Sequence, residues 1–193
     1  MLPGMMEGGH LSLIMGPMFA GKTSKLAAIY QQYKVAGIPV AFVNHSLDTR
    51  YGESAKVSTH SGESFQGIAV GKLWELDMAE LGDPRVILVN EAQFFQDVES
   101  WTTRMVEDYN KVVVLGGLDG DFRRECFGTW LNLIPLADCV EKLHALCVLC
   151  KARTASFSLR LDEGDDVCAV GGANQYAAAC RTCYLNRTKT KTV

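Results

Sequence analysis

Gly16-Pro17-Met18-Phe19-Ala20-Gly21-Lys22-Thr23 satisfies every fixed position of the pattern G-x-x-x-x-G-K-[ST]. Glycines in such a loop let backbone N–H groups close around phosphate oxygens and deliver them to a helix N-terminus. Lys22 is then expected at the β/γ-phosphates of ATP, and the Thr23 hydroxyl on Mg²⁺. The context is the one this chemistry needs. Leu11 to Met15 (LSLIM) is a strand-sized apolar run that ends at the loop. Lys22 to Ala36 follows with Leu26, Ile29, Tyr30 and Tyr33 on one helical face, and Gly37 stops it.

Outward from the loop, Val40 to Val43 (VAFV), Val86 to Val89 (VILV) and Val112 to Leu115 (VVVL) read as further buried strands. Lys72 to Leu81 and Asp97 to Tyr109 read as helices, and the polar, glycine-dotted segment from Asn44 to Ser64 reads as a loop. Short all-apolar strands separated by helices predict an α/β fold, a parallel sheet covered on both faces. The character changes after Pro135. Residues 144–185 hold five of the seven cysteines, an acidic run (Asp162, Glu163, Asp165, Asp166) and Gly171-Gly172, without an evident core of their own.

Composition narrows the function. Net charge is 19 − 22 = −3, whereas a domain that lives on nucleic-acid phosphates carries a basic excess. The longest apolar runs are far short of a bilayer span, and Met1 to Gly9 has no signal-peptide pattern. An odd number of cysteines without a secretion signal favours reduced thiols and metal ligation over disulfides. The expectation is a cytoplasmic protein with neither nucleic-acid nor membrane partners.

Two constellations carry further chemistry. VILV runs into Asn90-Glu91, where P-loop enzymes carry a metal-side carboxylate. Asn90 brings no charge but can hold a metal-bound water through its amide oxygen. Glu91 keeps its carboxylate and is the candidate general base. Cys147-x-x-Cys150 and Cys180-x-x-Cys183 form two knuckles, the pattern of a closed Cys₄ structural zinc site. Cys126, Cys139 and Cys168 have no partner pattern. His10, His45, His60 and His144 have no ligand spacing, and surface or loop positions are the default for them. The aromatics Phe94, Phe95, Phe122 and Phe127 read, by themselves, as core more readily than as pocket.

Taken together these pieces resemble the type II, zinc-containing thymidine kinases. GPMFAGKT matches that family's phosphate loop, including Pro17, Met18 and Phe19. Asp48-Thr49-Arg50-Tyr51 resembles its DTRY loop, and EAQFF its E-G-Q-F-F stretch. Leu118 to Phe122 with Phe127-Gly128 resembles its L-D-G-x-F…F-G segment. Val170 to Tyr176, followed by Cys-x-x-Cys, resembles its substrate-covering lasso.

The resemblance implies a P-loop domain over residues 1–143 and a small zinc-anchored lasso domain over 144–193 covering the nucleoside. It implies Glu91 as base, Gly16 to Thr23 with Arg50 and Arg160 around the ATP phosphates, and Thr23 and Asn90 (through water) at magnesium. The pocket for thymidine or deoxyuridine would be walled by Met18, Phe94, Leu118, Phe122, Phe127, Ser158 and Tyr176. Backbone of Val167, Ala169 and Gly171 would read the base edge. The family also implies Mg²⁺ with ATP, structural Zn²⁺ and a homotetramer. Asn90 departs from the Asp-Glu that many members carry. Three readings stay beside this one: another small-molecule kinase such as an adenylate kinase, a P-loop ATPase with a nucleic-acid-binding zinc ribbon, and a nucleotide-binding protein without turnover.

Overall fold

The computed structural model describes residues 8–47, 56–58, 64–162 and 174–189, the backbone alone at 56–58, 64–66 and 189. The apolar runs become β1 (His10–Met15), β2 (Val40–His45), β6 (Val86–Asn90) and β7 (Val112–Gly117). Two short strands complete their sheet, β5 (Ile68–Val70) and β8 (Cys139–Lys142). The order is β5-β2-β6-β7-β1-β8, and every ladder is parallel. Side chains alternate between faces along a strand. Leu11, Leu13, Ile87, Val89, Val113 and Leu115 therefore pack on one face with Trp101 and Met105 of α2 (Val98–Glu107). Ile14, Val86, Leu88, Val112 and Val114 pack on the other with Leu26, Ala27 and Tyr33 of α1 (Lys22–Val35). The expected parallel sheet with a helix on each face is what the chain forms.

Three local expectations are corrected. Lys72 to Leu81 forms only a 3₁₀ turn at Leu73–Glu75, with turns after it. Asp77 takes two amides a helix would use, those of Ala79 and Glu80, while Glu75 caps the start of the turn by accepting from Gly71 and Lys72. That is the usual way short acidic side chains compete with helix. The segment from Asn44 to Ser64 is not all loop. Strand β2 continues through Asn44 and His45, and β3 (Lys56–Ser58) pairs antiparallel with β4 (Ser64–Gln66). His45 is buried, its ring 4.6 Å from that of Phe95 and 5.6 Å from that of Phe94, so it is not a surface histidine.

The C-terminal part has small cores of its own. Strand β9 (Ala145–Leu146) pairs with β10 (Thr154–Ala155), and β11 (Phe157–Arg160) with β12 (Tyr176–Ala179), which leads into α3 (Arg181–Lys189). Cys147, Ala155, Ala178 and Cys180 form one buried cluster; Leu159, Ala179 and Tyr184 form another.

Candidate active site

The registers Met15↔Gly117 and Asn90↔Gly116 bring the ends of β1, β7 and β6 side by side. Ligands of open α/β sheets bind at such carboxyl ends. The phosphate loop leaves β1 at Gly16, whose φ is +148°; a Cβ there would lie 2.4 Å from the Leu143 carbonyl oxygen. Only glycine fits that approach. Lys22 is buried and donates from Nζ to the Pro17 carbonyl at 2.8 Å, folding its charge back over the loop. The Met18 N–H donates to the Ser158 hydroxyl at 3.0 Å, which ties the loop to β11.

Beyond the intervening β7, Asn90 at the end of β6 accepts from the Thr23 hydroxyl through Oδ1 at 3.2 Å, and its Nδ2 donates to Asn44 Oδ1 at 3.0 Å. Hard oxygen donors grouped at the start of α1 suit Mg²⁺. Glu91 follows in a left-handed conformation, φ +56°, and is 8% exposed. Gln93 Nε2 donates to its Oε2 at 2.6 Å, while Gln93 Oε1 accepts the Leu118 N–H at 3.0 Å. Sequence reasoning did not single out Gln93, Asn44 or the Met18–Ser158 contact. A lone amide or hydroxyl carries no motif, and only the fold shows what it touches.

The proposed pocket residues fall in two groups. Phe94 and Phe127 meet edge-on at 5.5 Å, both partly exposed, whereas Phe95 is core at 1%. The Arg160 guanidinium lies 5.2 Å from the Phe122 ring and 5.8 Å from that of Tyr176, and its Nε pairs with Asp162. Leu118 is partly exposed beside Gln93. Asp48, Thr49, Arg50, Tyr51, His60, Val167, Cys168, Ala169 and Gly171 lie outside the described residues.

The four knuckle cysteines converge as their spacing predicts. Their sulfurs all lie within 4.8 Å of one another, with Cys150 and Cys180 4.0 Å apart. Tetrahedral zinc with bonds of ~2.3 Å spaces its sulfurs about 3.8 Å apart, so the donor set fits. Burial pushes the Cys147 thiol up, but N–H groups of Cys150, Cys180 and Leu149 outweigh it and hold the thiol down to about 6. Cys183 is pushed up to about 12, by the Cys180 sulfur first and by burial second. Thiols this close resist joint ionisation, a conflict a divalent cation relieves. His144 stays out of the cluster, its Nδ1 3.2 Å from the Ser156 hydroxyl. Cys126 and Cys139 are exposed thiols.

A phosphate loop that opens α1 at the carboxyl edge of a parallel sheet makes this a P-loop nucleotide-binding α/β protein. Comparison with known proteins narrows the class. Residues 9–184 match the family model described as Thymidine kinase. The Thymidine kinase of Vaccinia virus (strain Western Reserve) is 38% identical over 181 residues, 94% of this chain and 99% of the viral protein. That of Monkeypox virus is 38% identical with the same coverage, and that of Variola virus (isolate Human/India/Ind3/1967) 37%. The chain belongs to the thymidine kinase family, and is an ATP-dependent kinase.

Proposed function

We propose that this enzyme transfers the γ-phosphate of ATP to the 5′-hydroxyl of thymidine or deoxyuridine, giving the monophosphate. The observation that carries the reading is the meeting of Thr23 and Asn90 beside Glu91. It supports a reaction whose phosphate-binding end follows β1 and whose proton-accepting end follows β6, with only β7 between the two strands.

Phosphoryl transfer asks the protein mainly for positioning and electrostatic stabilisation. The loop Gly16 to Thr23, through its available backbone N–H groups, and the Lys22 ammonium hold the phosphates, and Arg50 and Arg160 steady the transferring group. Thr23 and Asn90 would hold Mg²⁺, Asn90 through water; the cation neutralises phosphate charge. Glu91 accepts the 5′-hydroxyl proton. Gln93 orients that carboxylate. Met18, Phe94, Leu118, Phe122, Phe127, Ser158 and Tyr176 enclose the nucleoside, and backbone at Val167, Ala169 and Gly171 reads the base.

The division at 143/144 follows from this scheme, with the second part anchored by Zn²⁺ on Cys147, Cys150, Cys180 and Cys183. A cytoplasmic homotetramer is proposed by analogy. No helix among the described residues is long and apolar enough to cross a membrane. The test uses ATP labelled at the γ-phosphate with thymidine: label recovered on the 5′-oxygen supports the reading. Label recovered only as inorganic phosphate contradicts it.

A further inference from the structure

Asn90 ends β6 where a carboxylate is ordinarily found, and it is 1% exposed. A carboxylate offers oxygen at both terminal atoms; an amide offers one acceptor and one donor group. Which end faces Thr23 therefore decides whether residue 90 helps or opposes a cation. The polarity follows from chemistry. A hydroxyl that gives a lone pair to a cation has its proton left to offer, so its neighbour must accept. Asn90 does accept, presenting Oδ1 to Thr23, and this sends Nδ2 into the protein interior. A buried N–H without an acceptor is costly. Here Asn44, itself buried, supplies the acceptor at 3.0 Å. Asn44 lies one residue beyond the Val43↔Val89 pair of the parallel ladder, and so beside Asn90 on the same face.

We propose that Asn44 is a positioning residue for the metal end of the phosphate loop. By accepting the Asn90 amide proton it holds the Asn90 oxygen toward Thr23, which lets an uncharged residue serve where a carboxylate is usual. The inference rests on the Mg-ATP reading of Thr23 given above. It makes position 44 matter only while position 90 is an amide. An aspartate at 90 has no wrong end to present.

The test is equilibrium ATP binding by titration calorimetry on the full chain, without nucleoside, in Mg²⁺ and in EDTA. The readout is the ratio of the two affinities. Asn44→Leu lowers that ratio roughly tenfold, the usual scale for losing a partner behind a metal ligand, with affinity in EDTA unchanged. Asn44→Asp, still an acceptor, keeps the ratio. The double variant Asn44→Leu/Asn90→Asp recovers it. Should the leucine variants fail to fold, Asn44→Ala alone and with Asn90→Asp gives the same comparison. A merely structural Asn44 would lower the melting temperature and leave the ratio alone. That result overturns the proposal, as does a double variant that stays impaired. A wild-type ratio near one overturns it as well, and only that outcome also removes the underlying reading of Thr23.

Discussion

The hydroxyl of Tyr184 donates to the carbonyl of Phe122 at 2.6 Å, joining α3 to the loop that follows β7. Tyr184 sits one residue after Cys183, and its ring lies 4.6 Å from the Arg124 guanidinium of that same loop. The cysteine cluster is thus mechanically connected to a proposed wall of the nucleoside pocket.

Tyr184→Phe removes that hydrogen bond and keeps the ring. A net loss of about 1 kcal/mol is expected for one such bond, which corresponds to roughly a fivefold change in an equilibrium. Thymidine KM should rise by that order while ATP KM stays constant. Initial-rate kinetics in both substrates check it; equal effects on both would argue against a local role for the contact.

The metal should be zinc, bound one per chain, and elemental analysis of Cys180→Ser should show it lost. Cys147 is held below its ordinary value of 9.0 to about 6. A thiol so depressed favours the folded lobe fully above its unfolded value, and that contribution fades as pH falls through the folded one. Protons compete with the metal in the same direction. Zinc content measured after dialysis should hold at pH 8 and fall as the pH is lowered. Retention in strong acid would contradict thiolate ligation.

Gln93 serves two groups with opposite polarities, donating to the buried Glu91 and accepting from Leu118. Gln93→Glu keeps the acceptor for Leu118 but sets a like charge against Glu91. It should lower kcat by about tenfold or more, an electrostatic cost near 1.4 kcal/mol, with little change in ATP affinity. Gln93→Leu loses both bonds and should also destabilise by about 2 kcal/mol, read from denaturant unfolding. A Gln93→Glu enzyme with normal kcat would remove Gln93 from the orientation of Glu91.

Gly16→Ala meets the Leu143 carbonyl at 2.4 Å, so loop or strand must move. At Gly21, with φ +83°, a Cβ meets nothing within 4 Å, and the cost is backbone strain of about 1–2 kcal/mol. Gly16→Ala should therefore lose ATP binding and stability together. Gly21→Ala should fold and bind more weakly. Thermal unfolding and ATP titration separate the two, and equal behaviour would contradict the steric account.

The strands, α1 and the four-cysteine cluster were legible because each follows a short-range rule: an apolar run, a helical stripe, a knuckle spacing. The turn at Leu73–Glu75 was not, since the helical pattern over 72–81 says nothing of Asp77 capturing the Ala79 and Glu80 amides. Strand β8 escaped because its residues are largely exposed at the sheet edge, leaving no apolar run to read. Gln93 and Asn44 owe their places to partners 25 and 46 residues distant. Only the assembled sheet brings such groups together.

Phosphoryl transfer to a deoxynucleoside with Glu91 as base can be measured directly. The direct measurement is ATP- and Mg²⁺-dependent phosphorylation of thymidine, deoxyuridine, deoxycytidine and deoxyadenosine by wild type and Glu91→Gln. Turnover confined to the first two, with kcat lowered about 10²–10⁴-fold in the variant, is predicted from the usual worth of a positioned base. Bound ATP with no thymidine turnover in the wild type, or full turnover in Glu91→Gln, would contradict it.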